Sequence, residues 1–331
     1  MKKIRENTKK VIEKCREKNS EVAAVTKVFA GDKYIIKSII DSGINILADS
    51  RLKNLKKFND LKIKKMLIRI PMKSEIEEVV KYTDISLNSE LETIFEINKY
   101  AKIRNKIYEI MLMIDVGDLR EGIFFENYNE IYNTVKNVIK LKNIKLKGLG
   151  TNFSCFGGVI PSEEKYNILI NIKNRLEKDL NIKIKEISGG SSGTLSLIDE
   201  INIPKDVNQL RCGASIALGI GLNDMPFEYL HQNTCEFAVE LVEIKKKILN
   251  NKIKKIGVCI INTPGMKKEY FIPTDKKIKI IDINNDYIIL DLTESEKKHN
   301  LNDEIFFNLS YGGLLLSMNS PYVRKVYLNN L

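Results

Sequence analysis

A chain of 331 residues, 43% hydrophobic and 29% charged, is too apolar for a disordered polyelectrolyte and long enough for one large barrel with an appendage, or for two domains. Its formal net charge of +11 would suit a nucleic-acid partner, but the lysines are scattered through amphipathic segments among Ile and Asn. No basic stripe interleaved with aromatics stands out, so a solvated basic surface and no nucleic-acid footprint are expected. The stretch 1–19 is a charged helical pattern without an apolar h-region, and no run approaches the roughly 18 apolar residues of a spanning helix, so neither a signal peptide nor a membrane partner is expected. The five cysteines (Cys15, Cys155, Cys212, Cys235, Cys259) are odd in number, widely spaced and form no CxxC pair, which points to reduced thiols and a cytoplasmic location. His231 and His299 show no ligand-like spacing, so a metal site or a histidine-based triad is not expected.

From residue 22 onward, short apolar runs alternate with amphipathic stretches. Strands are predicted over 22–28, 44–48, 65–70, 84–87, 108–115, 145–151, 183–187 and 208–212. Helices are predicted between them, over 32–42, 74–82, 89–104, 127–141 and 162–180, several opened by a Ser or Asp cap. Eight strands, each followed by a helix, in about 200 residues is the pattern of a (β/α)8 TIM barrel, with an open doubly wound sheet as the rival. After residue 222 the texture changes to β-like runs over 237–245, 253–261, 277–283, 287–292 and 304–309, broken by Asn, Asp, Gly and Pro turns. The predicted organisation is α/β: a barrel over 1–222 and a C-terminal all-β domain over 223–331, joined at the Gly, Asn and Pro cluster near 221–226.

Catalytic groups of such barrels sit where strands end and the following loops begin. The first strand ends on Val25-Thr-Lys27-Val28, where Lys27 is either a desolvated, nucleophilic cofactor lysine or a strand-end residue reaching to solvent. After the fifth comes Asp115-Val-Gly-Asp-Leu-Arg120-Glu-Gly122, where Arg120 either forks a substrate carboxylate or pairs with Asp115, Asp118 or Glu121. The sixth is followed by the polar loop Gly150-Thr-Asn152-Phe-Ser-Cys155-Phe-Gly-Gly158. Ser188-Gly-Gly190-Ser191-Ser192-Gly193 and Arg211-Cys-Gly213-Ala-Ser215 follow the seventh and eighth, the two positions whose loops and helix N-termini often hold a phosphate in these barrels. Each loop alone could be an ordinary turn. A phosphate grip, an imine-forming lysine and a carboxylate-binding arginine in one mouth together suggest pyridoxal 5'-phosphate and an amino-acid substrate. Arg211 is placed to face the ring nitrogen, which suits reversible proton exchange better than deeper chemistry.

These residues carry a resemblance. Ala24-Val-Thr-Lys27-Val, Leu47-Ala-Asp-Ser-Arg51, Ile85-Ser-Leu-Asn-Ser-Glu-Leu-Glu92, Asp115-Val-Gly-Asp-Leu-Arg-Glu-Gly122, Gly148-Leu-Gly-Thr-Asn152, Ile187-Ser-Gly-Gly190 and Asn208-Gln-Leu-Arg211 resemble the alanine/ornithine racemase family of fold-type III pyridoxal-phosphate enzymes, in order and spacing, across nearly the whole barrel. The resemblance implies a Schiff base at Lys27, a substrate carboxylate on Arg120, a phosphate grip at Gly190, Ser191, Ser192 and Gly213, and Arg211 against the pyridine nitrogen. It places Asn152 where alanine racemases tend to set a histidine against the cofactor ring. Ser310-Tyr-Gly-Gly-Leu-Leu-Leu-Ser-Met-Asn-Ser-Pro-Tyr322 is similar to the family's closing segment, which implies that Tyr322 touches the phosphate or the substrate across a homodimer interface; by itself Tyr322 could equally be a core aromatic of the β domain.

Two departures accompany the resemblance: the chain opens directly at Lys3-Ile-Arg-Glu-Asn7, and the β domain is short between Lys245 and Lys279. Inversion by two bases needs a second proton carrier opposite Lys27, for which Tyr270, Cys259 and Tyr311 are candidates. The expected function is racemisation of a free amino acid of the ornithine or alanine type. A fold-type III decarboxylase and a non-catalytic cofactor-binding protein are the alternatives.

Overall fold

The computed structural model describes all residues except 154–157, 199, 201–202 and 329–331. The candidate loop with Cys155 therefore lies partly outside the described residues. The chain divides into two compact units: Ile4–Lys27 with Gly31–Leu230, and Met1–Lys3 with Val28–Ala30 and His231–Leu331.

The larger unit is built on parallel strands β1 (Glu21–Val25), β2 (Ile46–Asp49), β3 (Lys64–Leu67), β4 (Ile85–Asn88), β5 (Tyr108–Asp115), the two-residue β6 (Ile123–Phe124), β7 (Ile144–Thr151), β8 (Glu186–Ser191) and β9 (Val207–Cys212). Their order is β4-β3-β2-β1-β9-β8-β7-β5-β6, and a further β4–β5 pairing closes the eight long strands into a barrel. That closure excludes the open doubly wound sheet. The helices are α1 (Lys2–Glu17), α2 (Lys33–Ile40), α3 (Leu52–Lys56), α4 (Ile76–Tyr82), α5 (Leu91–Ile103), α6 (Tyr128–Val138), α7 (Glu163–Leu180), α8 (Ser192–Ser196) and α9 (Ala214–Leu218). Asp32 and Ser162 cap α2 and α7 by accepting from the amides of Ile35 and Lys165, as their place before an apolar periodic run suggested.

Alternation along the strands separates two cores. Ala23, Val25, Ile46, Ala48, Met111 and Met113 share a cluster made of residues on the strands or directly after them, with no helix residue, which is the barrel lumen. Leu67, Tyr108, Ile110 and Ile144 pack instead against Leu55, Val79 and Ile97 of the surrounding helices. Parallel register carries this assignment round the barrel: Arg211 pairs with Ala23, and Gly150 pairs with Met113 and with Ser188. These positions therefore share the lumen face.

Several predicted boundaries move, and two of them bear on the site. The first strand stops at Val25, and Lys27 opens a single 3-10 turn, Lys27–Phe29. Thr26 is still tied to β2, its amide and hydroxyl donating to the Ala48 carbonyl (2.8 and 3.2 Å) and the hydroxyl also reaching Asp49 Oδ2 (3.0 Å), and the chain turns directly after it. The Gly/Ser segment predicted as a loop is strand through Ser191.

The second unit is a six-stranded antiparallel sheet of β10 (Glu236–Leu249), β11 (Lys252–Ile260), β12 (Phe271–Pro273), β13 (Lys279–Ile283), β14 (Tyr287–Asp291) and β15 (Glu304–Leu309), in the order β12-β15-β10-β11-β14-β13. Phe237, Phe271 and Phe307 meet edge to face at 5.5 and 5.4 Å, the geometry their ring quadrupoles favour. The short β12 was not predicted, because Pro273 reads as a strand breaker and is accommodated at the sheet edge. Helix α10 (Tyr311–Asn319) follows β15, capped by Ser310, whose Oγ accepts from Gly313 N at 3.3 Å.

Candidate active site

Lys27 sits at the C-terminal end of β1, half-buried. The residue before it is pinned by Asp49, which also accepts from Arg51 N (2.8 Å) and Asn54 Nδ2 (3.1 Å). Burial pushes the Asp49 carboxyl above its ordinary range, against these hydrogen bonds. Asp49 thus ties the end of β1 to the turn and helix that follow β2.

Across the lumen face, Arg211 is 5% exposed. Its Nη1 donates to Ser188 Oγ, and its Nη2 to the Thr151 carbonyl (2.6 Å) and to Asn152 Oδ1 (3.1 Å). A guanidinium locked on neighbouring strands β7 and β8 is a fixed cation at the top of the barrel. Asn152 is also 5% exposed, and its Nδ2 has no hydrogen-bond partner among the described residues.

The strand ends β8 and β9 are tied together by Ser192. Its buried hydroxyl accepts from Gly213 N (3.1 Å) and Ser215 N (3.2 Å) and meets Ser215 Oγ at 3.1 Å. Ser191 caps the start of α8, accepting from Gly193 N at 3.3 Å. Gly190 has φ +108°, and a Cβ there would come within 2.4 Å of Thr194 Oγ1 and 3.0 Å of Phe153 Cδ2. Tyr166 supports this turn by donating to the Gly189 carbonyl at 2.9 Å, with burial pushing its phenol up. Gly190, Ser191, Ser192 and Gly213 are thus brought together, with Arg211, Asn152 and Ser188 on the same strands.

Arg120 stands on a different loop. It lies after β5 with its Nε and Nη2 forked on Glu121 Oε2 (2.7 Å) and Oε1 (2.9 Å), its side chain 34% exposed. The loop is tightly wound: Gly117 and Leu119 have φ +114° and +56°, and Asp115 Oδ1 accepts from Gly117 N at 2.8 Å. Asp118 is 1% exposed and accepts from Val159 N at 3.3 Å.

The second unit holds the remaining candidates. Tyr322 is 72% exposed beyond α10, so the alternative of a β-domain core aromatic is excluded. Cys259 is fully buried, which pushes its thiol up to about 12. The thiol therefore stays protonated at neutral pH. The Tyr270 ring lies 3.0 Å from where a Cβ on Gly312 would stand, beside Tyr311 at the start of α10.

Sequence reasoning passed over Ser188, Thr151 and Ser215. The signal for Ser188 was available: two residues before Gly190 on one strand, it must share that residue's face.

The described residues fit pyridoxal phosphate in two respects. A buried amide nitrogen on Asn152 lacks an acceptor, a deficit worth about 1–3 kcal/mol that a polar ligand atom would relieve. The Arg211 guanidinium beside it is fixed by neutral acceptors and suits a ring nitrogen that is kept unprotonated.

Comparison with known proteins points the same way. A family model described as alanine racemase, N-terminal domain, matches residues 1–219. An ornithine racemase of Acetoanaerobium sticklandii is 35% identical, over 98% of this chain and 97% of that protein. A lysine racemase of Thermotoga maritima is 33% identical, over 99% and 96%. Both matches run through the β unit as well as the barrel. Among solved structures, an alanine racemase of Clostridium difficile in complex with cycloserine superposes with a TM-score of 0.75 at 17% identity, covering 98% of this chain and 92% of that one. A D-threonine aldolase of Filomicrobium marinum reaches 0.74 at 10% identity, over 96% and 88%. At such identities the likeness is of fold alone.

Proposed function

Because the chain belongs to the alanine racemase N-terminal domain family and is a pyridoxal-phosphate-dependent amino-acid racemase, we propose that it interconverts the L- and D-forms of a free diamino acid, ornithine or lysine, as a homodimer. The substrate is supported by the names of the two relatives that match nearly end to end. It is supported chemically by Asp115 and Asp118 on the Arg120 loop, carboxylates that could receive a side-chain ammonium.

The observation that carries the site assignment is the buried network of Arg211, Asn152, Thr151 and Ser188, on the strands that also bear Gly190 to Ser192 and Gly213. Lys27 would hold the cofactor covalently, and Ser191, Ser192, Gly190 and Gly213 would hold its phosphate. Asn152 and Arg211 would meet its ring. When bound, the cofactor withdraws electrons from Cα and so acidifies the substrate's α-proton.

The chain's own residues then supply orientation and proton transfer. Arg120 exchanges its fork on Glu121 for the substrate's α-carboxylate. Lys27 Nζ removes or returns the Cα proton on one face. A tyrosine of the partner subunit serves the other face; Tyr270 and Tyr311, close together in the second unit, are the proposed sources, with Tyr322 completing the site across the dimer interface. Cys259 is dropped from this role because its thiol is buried and held protonated.

The test is incubation of the purified, cofactor-loaded protein with L-ornithine, L-lysine and L-alanine in deuterated water. The expected result is Cα deuterium and D-isomer from the diamino acids. No exchange on any substrate would overturn the reading, and carbon dioxide release without D-isomer would put a decarboxylase in its place.

A further inference from the structure

Strand β10 changes character part way along. Phe237, Val239 and Leu241 alternate as buried residues, and beyond Val242 no residue of the strand is buried. The supporting strands end where the burial does. β15 pairs with Glu236 to Glu240, and β14 with Ile256 to Ile260. Lys255 is still tied to the segment after β14, its carbonyl accepting from Leu292 N (2.8 Å) and its amide donating to Thr293 Oγ1 (2.9 Å). The hairpin beyond it is an arm whose ladder, from Lys247 and Lys254 to Leu249 and Lys252, pairs only with itself among the described residues. Asn250 and Asn251 close it, both left-handed at φ 51° and 59°, as a two-residue turn of the type that matches strand twist.

The composition of the tip is one-sided. Residues 245–255 contain six lysines and no Asp, Glu, Arg or aromatic residue. Lys247 pairs with Glu243 (2.7 Å) and Lys254 with Asp291 (2.9 Å); Lys245, Lys246, Lys252 and Lys255 make no ion pair among the described residues. Ile248 and Ile253 face each other across the ladder, 78% and 71% exposed. By the two-residue period, Lys246 and Lys255, also directly opposed, share their face. Opposed like charges weaken a hairpin, so the arm carries this charge at a cost to itself.

We propose that the arm is a docking surface for an anionic lipid bilayer, with Ile248 and Ile253 entering the headgroup boundary and the lysines binding lipid phosphates. An apolar pair at a tip with ammonium groups set behind it is the arrangement that peripheral membrane contacts use. A second copy of this chain is a poorer occupant of the tip, since a self-complementary contact there would set Lys245, Lys246, Lys252 and Lys255 against their own counterparts. Nucleic acid is poorer too, because the tip offers neither an arginine fork nor an aromatic stacking surface. The expectation of no membrane partner rested on the want of a spanning helix, which a reversible surface contact does not require.

The test is co-sedimentation of the full-length, cofactor-loaded protein with vesicles of phosphatidylcholine alone or mixed with phosphatidylglycerol, at low salt and at about 0.15 M salt. Binding is expected only to the mixed vesicles and weaker at the higher salt. Two variants should each weaken it on the order of tenfold: one with Lys245, Lys246, Lys252 and Lys255 changed to Gln, the other carrying Ile248→Asn and Ile253→Asn. Both should keep parental racemase activity, which shows that they fold. No pelleting, or pelleting equal in the variants and the parent, would overturn the proposal. So would tight binding of an oligonucleotide lost only in the lysine variant, and so would a fall in solution mass of the isoleucine variant, which would make the arm an interface between copies.

Discussion

Arg211 Nη2 donates to Asn152 Oδ1 across 3.1 Å, and that bond decides which end of the Asn152 amide is left over. The carbonyl oxygen is taken, so Nδ2 remains as a buried donor without an acceptor. Cofactor binding should therefore stabilise the protein partly by satisfying this group. Asn152→Leu removes this donor and also an acceptor of Arg211, so it is expected to destabilise the cofactor-free protein by about 1–3 kcal/mol and, separately, to cut the rise in melting temperature on adding pyridoxal phosphate by the equivalent of about 1 kcal/mol. An undiminished rise in the variant would show that Nδ2 does not meet the ligand.

Lys27 should be the point of covalent attachment. Borohydride treatment of the loaded protein followed by peptide mass spectrometry should find the cofactor on the peptide containing Lys27, and Lys27→Ala should retain none after dialysis. Stripping the parent with hydroxylamine should abolish racemisation, with recovery on adding pyridoxal phosphate. Label on another lysine would move the site.

The bidentate hold of Arg120 on Glu121 is a rehearsal of carboxylate binding. Arg120→Lys keeps the charge and loses the fork, so kcat/KM should fall by about 10- to 100-fold, chiefly through KM. Glu121→Gln frees the fork and should move KM in the opposite direction. A loss confined to kcat would place Arg120 elsewhere in the reaction.

At Gly190 the left-handed backbone and the 2.4 Å approach of Thr194 Oγ1 leave no room for a Cβ. Gly190→Ala is expected to cost about 1–3 kcal/mol in denaturant unfolding and to weaken cofactor affinity. Gly158, whose added Cβ would meet nothing within 4 Å at a comparable φ of +70°, separates strain from crowding: its Ala variant should lose less.

His299 is buried, with Nε2 2.8 Å from Ser295 Oγ and Nδ1 unpartnered among the described residues, and burial lowers its pKa below the ordinary 6.5. The unfolded chain then binds the proton more readily than the folded one. The stability this confers is fully present above about pH 6.5 and is lost as pH falls through the lower, folded value. Melting temperature should drop between about pH 7 and pH 5, and His299→Gln should flatten that slope. An identical slope in the variant would assign it to other groups.

Much of this molecule was legible in one dimension. Period-two alternation and caps such as Asp32 and Ser162 mark where strands and helices lie, since each reflects bonding between near neighbours. Lys27, Arg211 and the Gly190 turn could be singled out because residue type at a strand end reports directly on chemistry. Ser192 is a different case: the sequence shows a hydroxyl in a Gly/Ser run, and only the apposition of β8 and β9 reveals that it accepts from Gly213 and Ser215 N. The same holds for Thr151, whose contribution is a backbone carbonyl and leaves no trace in residue type.

The sequence by itself determined the barrel, the appended sheet and the strand ends that bear the chemistry, because local periodicity and turn residues act over short range. Only the tertiary structure decided that the chain turns at Lys27 directly after β1, that Arg211 and Asn152 lock together, that Tyr322 is exposed and that the β10–β11 arm projects beyond its sheet. Each of these depends on which distant segment fills the space alongside, and that is set by packing across strands far apart in the chain.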